Sequence, residues 1–470
     1  MRLFLVAALL WCGVTTVAEA QGEAPAVTSL ADAVRRATTV GPAAQLAVGR
    51  RNELVGRART DAQRPNPIVE LRRENEGAPI PYDDFAQVTL PVALTGRRLA
   101  LQSALTATRT QATADSLETL RAAGFDAARA WWMAWAGAAE ARIATAQAEL
   151  LDRIAALDSV RAAEGELAEA TALRMRLEAQ RTRHAAAQAE AHAAQMRGRL
   201  AALIAEADPR RLTLAEAIAP LTPLPEVDSA LAVAQASRLD LAMARAAVAI
   251  AEGRRTAERR AVLPDVGLVG GYKGTAGFET SLFGVTLTAP LLNTNAGNRE
   301  RTAGEWLRAE AERRAAELRV TTEVHAALEA ARVIDAGTRD FDARFVARAD
   351  LVASAAQSAY QEGAASLVEL VDAFRAAADA RTAQVRGTLD RALARLDLRR
   401  AIGAAALELA GCRPHAPGSS SPRSPPTPAS VRGPVPVPPR RRRPPRRSLI
   451  PRSSLRKPSR SPSSGSPRWR

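Results

Sequence analysis

Ala86-Gln87-Val88-Thr89-Leu90-Pro91-Val92-Ala93-Leu94 alternates strictly between an apolar face and a polar one. The second half of the chain repeats the phrase as Phe283-Gly284-Val285-Thr286-Leu287-Thr288-Ala289-Pro290-Leu291. Period-2 alternation is the mark of a half-buried strand. In each copy Ala86, Val88, Leu90, Val92 and Leu94, or Phe283, Val285, Leu287 and Leu291, share one face, with Gln87 and Thr89, or Thr286 and Thr288, on the other. Each strand has a partner upstream. Residues 68–75 set Val69 and Leu71 against Glu70, Arg72 and Glu74, and residues 266–273 form a Gly-rich strand with Val266, Leu268 and Tyr272 on one face. The expected units are hairpins over 67–94 and 265–291, apolar on one side and wet on the other, as in a membrane barrel wall.

Outward from the hairpins the duplication continues. Proline-free helical runs follow, 92–208 and 291–413, rich in Ala, Leu, Arg and Glu and each split by a Glu-Gly pair, Glu164-Gly165 and Glu362-Gly363. Those residues favour helix. Long helical hairpins are expected over 98–207 and 298–410, and a helix from about 98 to 163 would be ~100 Å long. A shorter helical stretch precedes each hairpin, over 28–63 with Ser29 as N-cap, and over 228–260 ending at Pro264. A repeat this long is a duplicated half-domain, not a solenoid unit. The halves are 21–225 and 226–412. The helices alone fit an antiparallel coiled coil. The strands shift the reading, because four strands cannot close a barrel and an open apolar sheet would leave its edges bare. Three chains would supply twelve strands and close both the sheet and a helical cylinder.

Bulk composition narrows the rest. Residues 1–20 read as a secretory signal, with Arg2, the apolar Leu3 to Leu10 and an Ala18-Glu19-Ala20 cleavage site. Trp11 before Cys12 is too large for a lipid-attachment site. No window holds the roughly 18 apolar residues of a spanning helix. The net charge of +15 is a property of the tail, since residues 413–470 hold 15 of the 65 Lys/Arg and none of the 50 Asp/Glu. The body is formally neutral, which removes the compositional case for nucleic-acid binding. Cys12 and Cys412 are the only cysteines, and cleavage would leave one. The Pro/Arg/Ser-rich tail cannot bury a core and is expected to be disordered. It fits an extension toward anionic surfaces, a nucleic-acid-binding arm, or a frameshifted read-through of GC-rich coding sequence, and we favour the last.

The phrases together resemble the TolC-like outer-membrane efflux proteins over roughly 28–411. In the first half they are Arg64-Pro65-Asn66-Pro67 with Glu74-Asn75, and Leu90-Pro91-Val92-Ala93-Leu94-Thr95-Gly96-Arg97-Arg98. In the second they are Arg238-Leu239-Asp240-Leu241 with Ala244-Arg245, Leu263-Pro264-Asp265, Gly284 to Leu291, and Tyr360-Gln361-Glu362-Gly363 followed by Ser366-Leu367-Val368-Glu369-Leu370-Val371-Asp372-Ala373. The Leu94 to Arg98 phrase looks most like the heavy-metal-efflux branch.

The resemblance implies a mainly α fold with a small β part, trimerising into a twelve-stranded outer-membrane barrel continuous with a periplasmic α-barrel. It implies an outer-membrane location with a periplasmic extension, an exit duct for metal cations or small toxic compounds, and no enzymatic activity. The partners it implies are a homotrimer, a periplasmic adaptor, an inner-membrane pump of the RND type and outer-membrane lipid. It places the hairpin tips and adaptor docking at Gly165, Gly363, Ser366 and Leu367, and the periplasmic entrance at Tyr360, Glu369 and Asp372. A ring of such acids would favour cations. The plain alternative is that Glu369 and Asp372 only solvate a helix face. The family's arginine two residues after the second tip glycine is Ala365 here, and its acid six after the first is Thr171, so a gate would work differently.

Other signals point to packing. Trp131 and Trp135 share a helix face and read as core, and His184 and His192 have no companion ligands. Neither a cofactor, a metal site nor a catalytic group is expected. Two other functions fit the pattern: the outer channel of a type I protein-secretion system, and a periplasmic structural coiled coil without a pore.

Overall fold

The computed structural model describes residues 27–74, 83–215, 223–275, 277–290, 292, 294–339 and 343–404. The signal segment 1–20 and the tail 413–470 lie outside the described residues. The elements run β1 (Val27–Thr28), α1 (Leu30–Thr39), α2 (Pro42–Asp61), β2 (Ile68–Glu74), β3 (Asp83–Val92), α3 (Arg97–Ala163), α4 (Glu169–Leu203), a 3₁₀ turn (Pro209–Arg211) and β4 (Thr213–Leu214). The second half follows with α5 (Val227–Ser237), α6 (Leu239–Arg260), β5 (Asp265–Thr275), β6 (Phe278–Thr288), α7 (Ala296–Gly337), α8 (Ala343–Gln361) and α9 (Leu367–Ile402).

Both predicted hairpins are present, and they join into one antiparallel sheet in the order β2-β3-β5-β6. Leu94 lies just beyond β3, and β6 begins at Phe278, upstream of the expected 282. The helices α2, α3, α6 and α7 pack side by side in the same order as the strands. Each strand continues into one of these helices: α2 into β2, β3 into α3, α6 into β5, and β6 into α7. The wall therefore has a strand part and a helix part with one shared order.

Three readings of the helices need correction. The stretch 28–63 is two helices, because Gly41 turns the chain against Leu203 and Pro42 restarts it at N1. A Cβ at Gly41 would lie 2.7 Å from the Ala37 carbonyl oxygen and 2.8 Å from that of Leu203. The stretch 228–260 breaks at Arg238, whose backbone is extended (φ −68°, ψ 120°). In the second long run α7 ends at Gly337 and α8 is described from Ala343; residues 340–342 lie outside the described residues.

Small side chains dominate the interior. Ala127, Ala128, Ala134, Val34, Leu200 and Ile204 are fully or almost fully buried. Small residues let helix backbones approach closely, which suits a thin wall with no thick core. Trp131, Trp132 and Trp135 sit in a cluster where α1, α3, α4 and the loop after α4 meet. Trp131 is 2% exposed and its indole N–H donates to the Thr28 carbonyl oxygen at 2.9 Å. That bond ties α3 to the two-residue parallel pair β1·β4, which is too short to leave a sequence pattern.

Candidate functional site

The register fixes which residues share a face of the sheet. Val88 pairs with Val69 and Gly270, Leu90 with Leu268, Val92 with Val266, and these in turn with Phe283, Val285 and Leu287 on β6. One face is thus mostly Val, Leu, Ala, Phe and Tyr, interrupted by Gly270 and Ser281, and it is open: Leu71 is 77% exposed, Phe283 85% and Val285 67%. The other face carries Glu70, Arg72, Gln87, Thr89, Lys273 and Thr286, with Gln87 donating to Glu70 at 2.5 Å and Lys273 paired to Asp83 at 2.5 Å. A contiguous exposed apolar face of this size marks a surface made for something other than water. The strands β3, β5 and β6 are 10 to 11 residues long, the length of a tilted membrane-spanning strand. Strands β2 and β6 each pair on one side only, so the sheet ends in two bare edges. Among the described residues no helix is long and apolar enough to cross a membrane, which says nothing against a barrel.

Polar contacts lock the passage from strand to helix. Gly96, at φ +69°, lets β3 turn into α3, and the Arg260 guanidinium at the end of α6 donates to the Gly96 carbonyl oxygen at 2.7 Å. On the other side Asn295 takes the left-handed conformation before α7 and donates to the Glu258 carboxylate at 2.7 Å. Glu258 also pairs with Arg97 at 3.3 Å. The phrase Leu94 to Arg98 thus has a structural role at this joint.

At the far end of the helices the two Glu-Gly sites form the same turn. Gly165 (φ +83°) and Gly363 (φ +74°) are both left-handed, a conformation that costs glycine little. The backbone bonds repeat residue for residue. Gly165, Glu166 and Leu167 donate to Ala162, Arg161 and Arg161, and Gly363, Ala364 and Ala365 donate to Tyr360, Ala359 and Ala359. A 6→1 bond beside a left-handed glycine closes the last helical turn. Three residues on, Ala168 and Ser366 take the N-cap positions of α4 and α9.

The second tip is packed onto the first. Leu151, Ile154, Met175, Tyr360, Leu370 and Phe374 form its core, with Leu367 against it. The Tyr360 hydroxyl donates to the Asp158 carboxylate at 2.7 Å, with both groups buried. Burial and that carboxylate push the tyrosine's pKa well above its ordinary value. Arg375 on α9 pairs with Glu178 on α4. The sequence pointed to Tyr360, but not to Asp158 or Glu178.

Of the two acids expected at an entrance, Glu369 turns back to cap its own helix. Its carboxylate accepts from the Ser366 backbone N–H at 2.7 Å, while the Ser366 hydroxyl accepts from Glu369 N–H at 3.3 Å. Asp372 is exposed, 4.0 Å from Arg375. Ala365 and Thr171 carry no charge with which to form an ion pair at the tips. Among the described residues no three His, Cys, Asp or Glu side chains are grouped to hold a metal.

Residues 230–404 match the model of the outer membrane efflux protein family. The fold is shared with solved outer-membrane proteins over 80% of this chain. The outer membrane protein VceC from Vibrio cholerae is 18% identical, with 96% of its chain covered and a TM-score of 0.66. The outer membrane channel CmeC from Campylobacter jejuni is 13% identical, with 85% covered and a TM-score of 0.69. CusC, a protein described as undergoing transmembrane channel formation, is 17% identical, with 92% covered and a TM-score of 0.65. No curated protein sequence matches the chain.

Proposed function

We propose that this chain is a TolC-like outer-membrane efflux protein and works as one third of a passive exit duct. The observation that carries the reading is the shared order of strands and helices with two bare edges. A four-stranded sheet with one exposed apolar face and unpaired β2 and β6 is incomplete. Three copies joined β6 to β2 make twelve strands, enough to close a barrel. The same joining sets α7 of one copy beside α2 of the next and closes a helical tube. The halves 21–225 and 226–412 then act as two similar staves per copy.

In this reading the paired tips are the periplasmic entrance. Tyr360 and Asp158 clasp the second hairpin to the first, Asp372 faces the opening, and Glu369 shapes the tip by capping α9. Gly165, Gly363, Ser366 and Leu367 form the rim where a periplasmic adaptor docks, and an inner-membrane pump of the RND type supplies the energy. Metal cations or small toxic compounds are the proposed cargo. The test is a deletion strain complemented with the intact chain, scored for resistance to metal salts and to organic toxicants. Restored resistance to either supports efflux, with the class named by the result. Restored secretion of a large protein substrate, with neither resistance, would replace efflux by the secretion duct.

A further inference from the structure

We infer that a cleft between α6 and α7, just below the sheet, binds a phosphate group, and that a phospholipid of the surrounding membrane supplies it. The cleft has a volume of about 360 Å³ and is lined by Arg255, Arg259, Ala296, Arg299, Glu300 and Ala303. Three guanidinium groups face one carboxylate there, an excess of two positive charges. Neighbouring arginines are spoken for: Arg97 pairs with Glu258, Arg301 with Glu305, and Arg313 with Glu310 and Glu317. Among the described residues Arg255, Arg259 and Arg299 have no carboxylate partner.

Arg255 is also held in place. Its guanidinium stacks 4.8 Å from the centre of the Trp306 ring, and its Nε is buried with no acceptor. A buried donor without an acceptor costs free energy until one arrives. Planar forks suit the several oxygens of a phosphate. Ala296 and Ala303 leave the room that longer side chains would fill. The start of α7 adds to the field, because its first turn carries no acid and Asn295 makes no side-chain cap. The arginines and the cleft carry the assignment, and the helix end only supports it.

Depth points to the lipid as the source. Arg259 precedes β5 by six residues, and Arg299 lies in the first turn of α7, which follows β6. The apolar face starts at Val266 and Leu287. The cleft therefore lies on the helix side of that edge, its lining starting six residues before β5 and eight residues after β6, on the side where a headgroup layer would border the apolar face. This step rests on the membrane-spanning reading of the sheet.

The test uses the full chain extracted from membranes, and a variant with Arg255→Gln, Arg259→Gln and Arg299→Gln. Fractionation and size come first: a chain absent from the outer membrane would sink the channel reading separately. Native mass spectrometry then follows added phosphatidylglycerol, diacylglycerol as the phosphate-free control, and inorganic phosphate. The expected result is retention of phosphatidylglycerol over diacylglycerol, falling at least about tenfold in the triple variant. The ion-paired Arg301→Gln variant is expected to bind as the parent does. Equal retention by the triple variant overturns the site. Displacement by millimolar inorganic phosphate, with no preference for the lipid, overturns the lipid as its source.

Discussion

Removing the Tyr360 hydroxyl by Tyr360→Phe should loosen the tip and open the duct. The bond is 2.7 Å long, and Asp158 is 1% exposed. It is the only hydrogen-bond partner of Asp158 among the described residues, so the variant strands a buried carboxylate. A hydrogen bond to a charged group contributes about 1.5–3 kcal/mol. Taking ~2 kcal/mol, the balance between clasped and loosened tip shifts about 30-fold per chain. If three tips move together, ~6 kcal/mol corresponds to roughly 10⁴-fold. The assay is single-channel conductance in planar bilayers, with circular dichroism and trimer retention to verify the fold. The expected outcome is long open dwell times in Tyr360→Phe. Pairing it with Asp158→Leu, which removes the stranded charge, is expected to be non-additive. A pH effect follows from the raised tyrosine pKa. The folded chain keeps this proton when the unfolded chain loses it, so the clasp holds fully below about pH 10 and weakens as pH rises further. Unchanged conductance in a correctly folded Tyr360→Phe trimer would refute the clasp.

Three other outcomes are expected. Val285→Arg puts a charge on the exposed apolar face two residues from its edge at Leu287 and should cost about 1–3 kcal/mol, between the midplane and interface values. Thr286→Arg, one residue on and facing the other way, should be tolerated, and refolding into phospholipid vesicles with urea titration separates the two. Gly253→Val is expected to lower stability by about 1–3 kcal/mol, because a Cβ there would meet the Ala104 Cβ at 2.9 Å and the Ala100 carbonyl oxygen at 3.0 Å. Gly49→Ala, inside α2 with nothing within 4 Å, is its control in thermal melts and should raise stability by about 0.5–1 kcal/mol. Arg238→Ala should cost about 1–3 kcal/mol, since Arg238 joins Asp240, Glu323 and the Ala401 carbonyl oxygen with 11% of its side chain exposed, while the two carboxylates, 30% and 43% exposed, stay within reach of water. Denaturant titration measures that loss.

The strands were legible because a pleat turns every second side chain to one face, and residues 86–92 and 283–287 keep that alternation without error. The tips were legible because a left-handed residue calls for glycine, and Gly165 and Gly363 each follow a glutamate near the middle of a long helical run. The partners of the tip were not. Asp158 lies 202 residues from Tyr360, and nothing local in its helix marks it among many acids. Glu369 read as an entrance acid, although Ser366 three residues earlier already spells a capping box. The break at Arg238 hid in a good helical pattern, because what opens it is a set of distant acceptors on α7 and α9. The cleft arginines were silent for a similar reason. Charges at helical spacing look like a solvated face until a second helix is laid beside them.

Single-particle imaging of the chain extracted from outer membranes in detergent tests the duct most directly. The expected particle is a threefold cylinder with a twelve-stranded β end continuous with a helical tube. Monomers or dimers, or a helical rod with solid density along its axis, would contradict it.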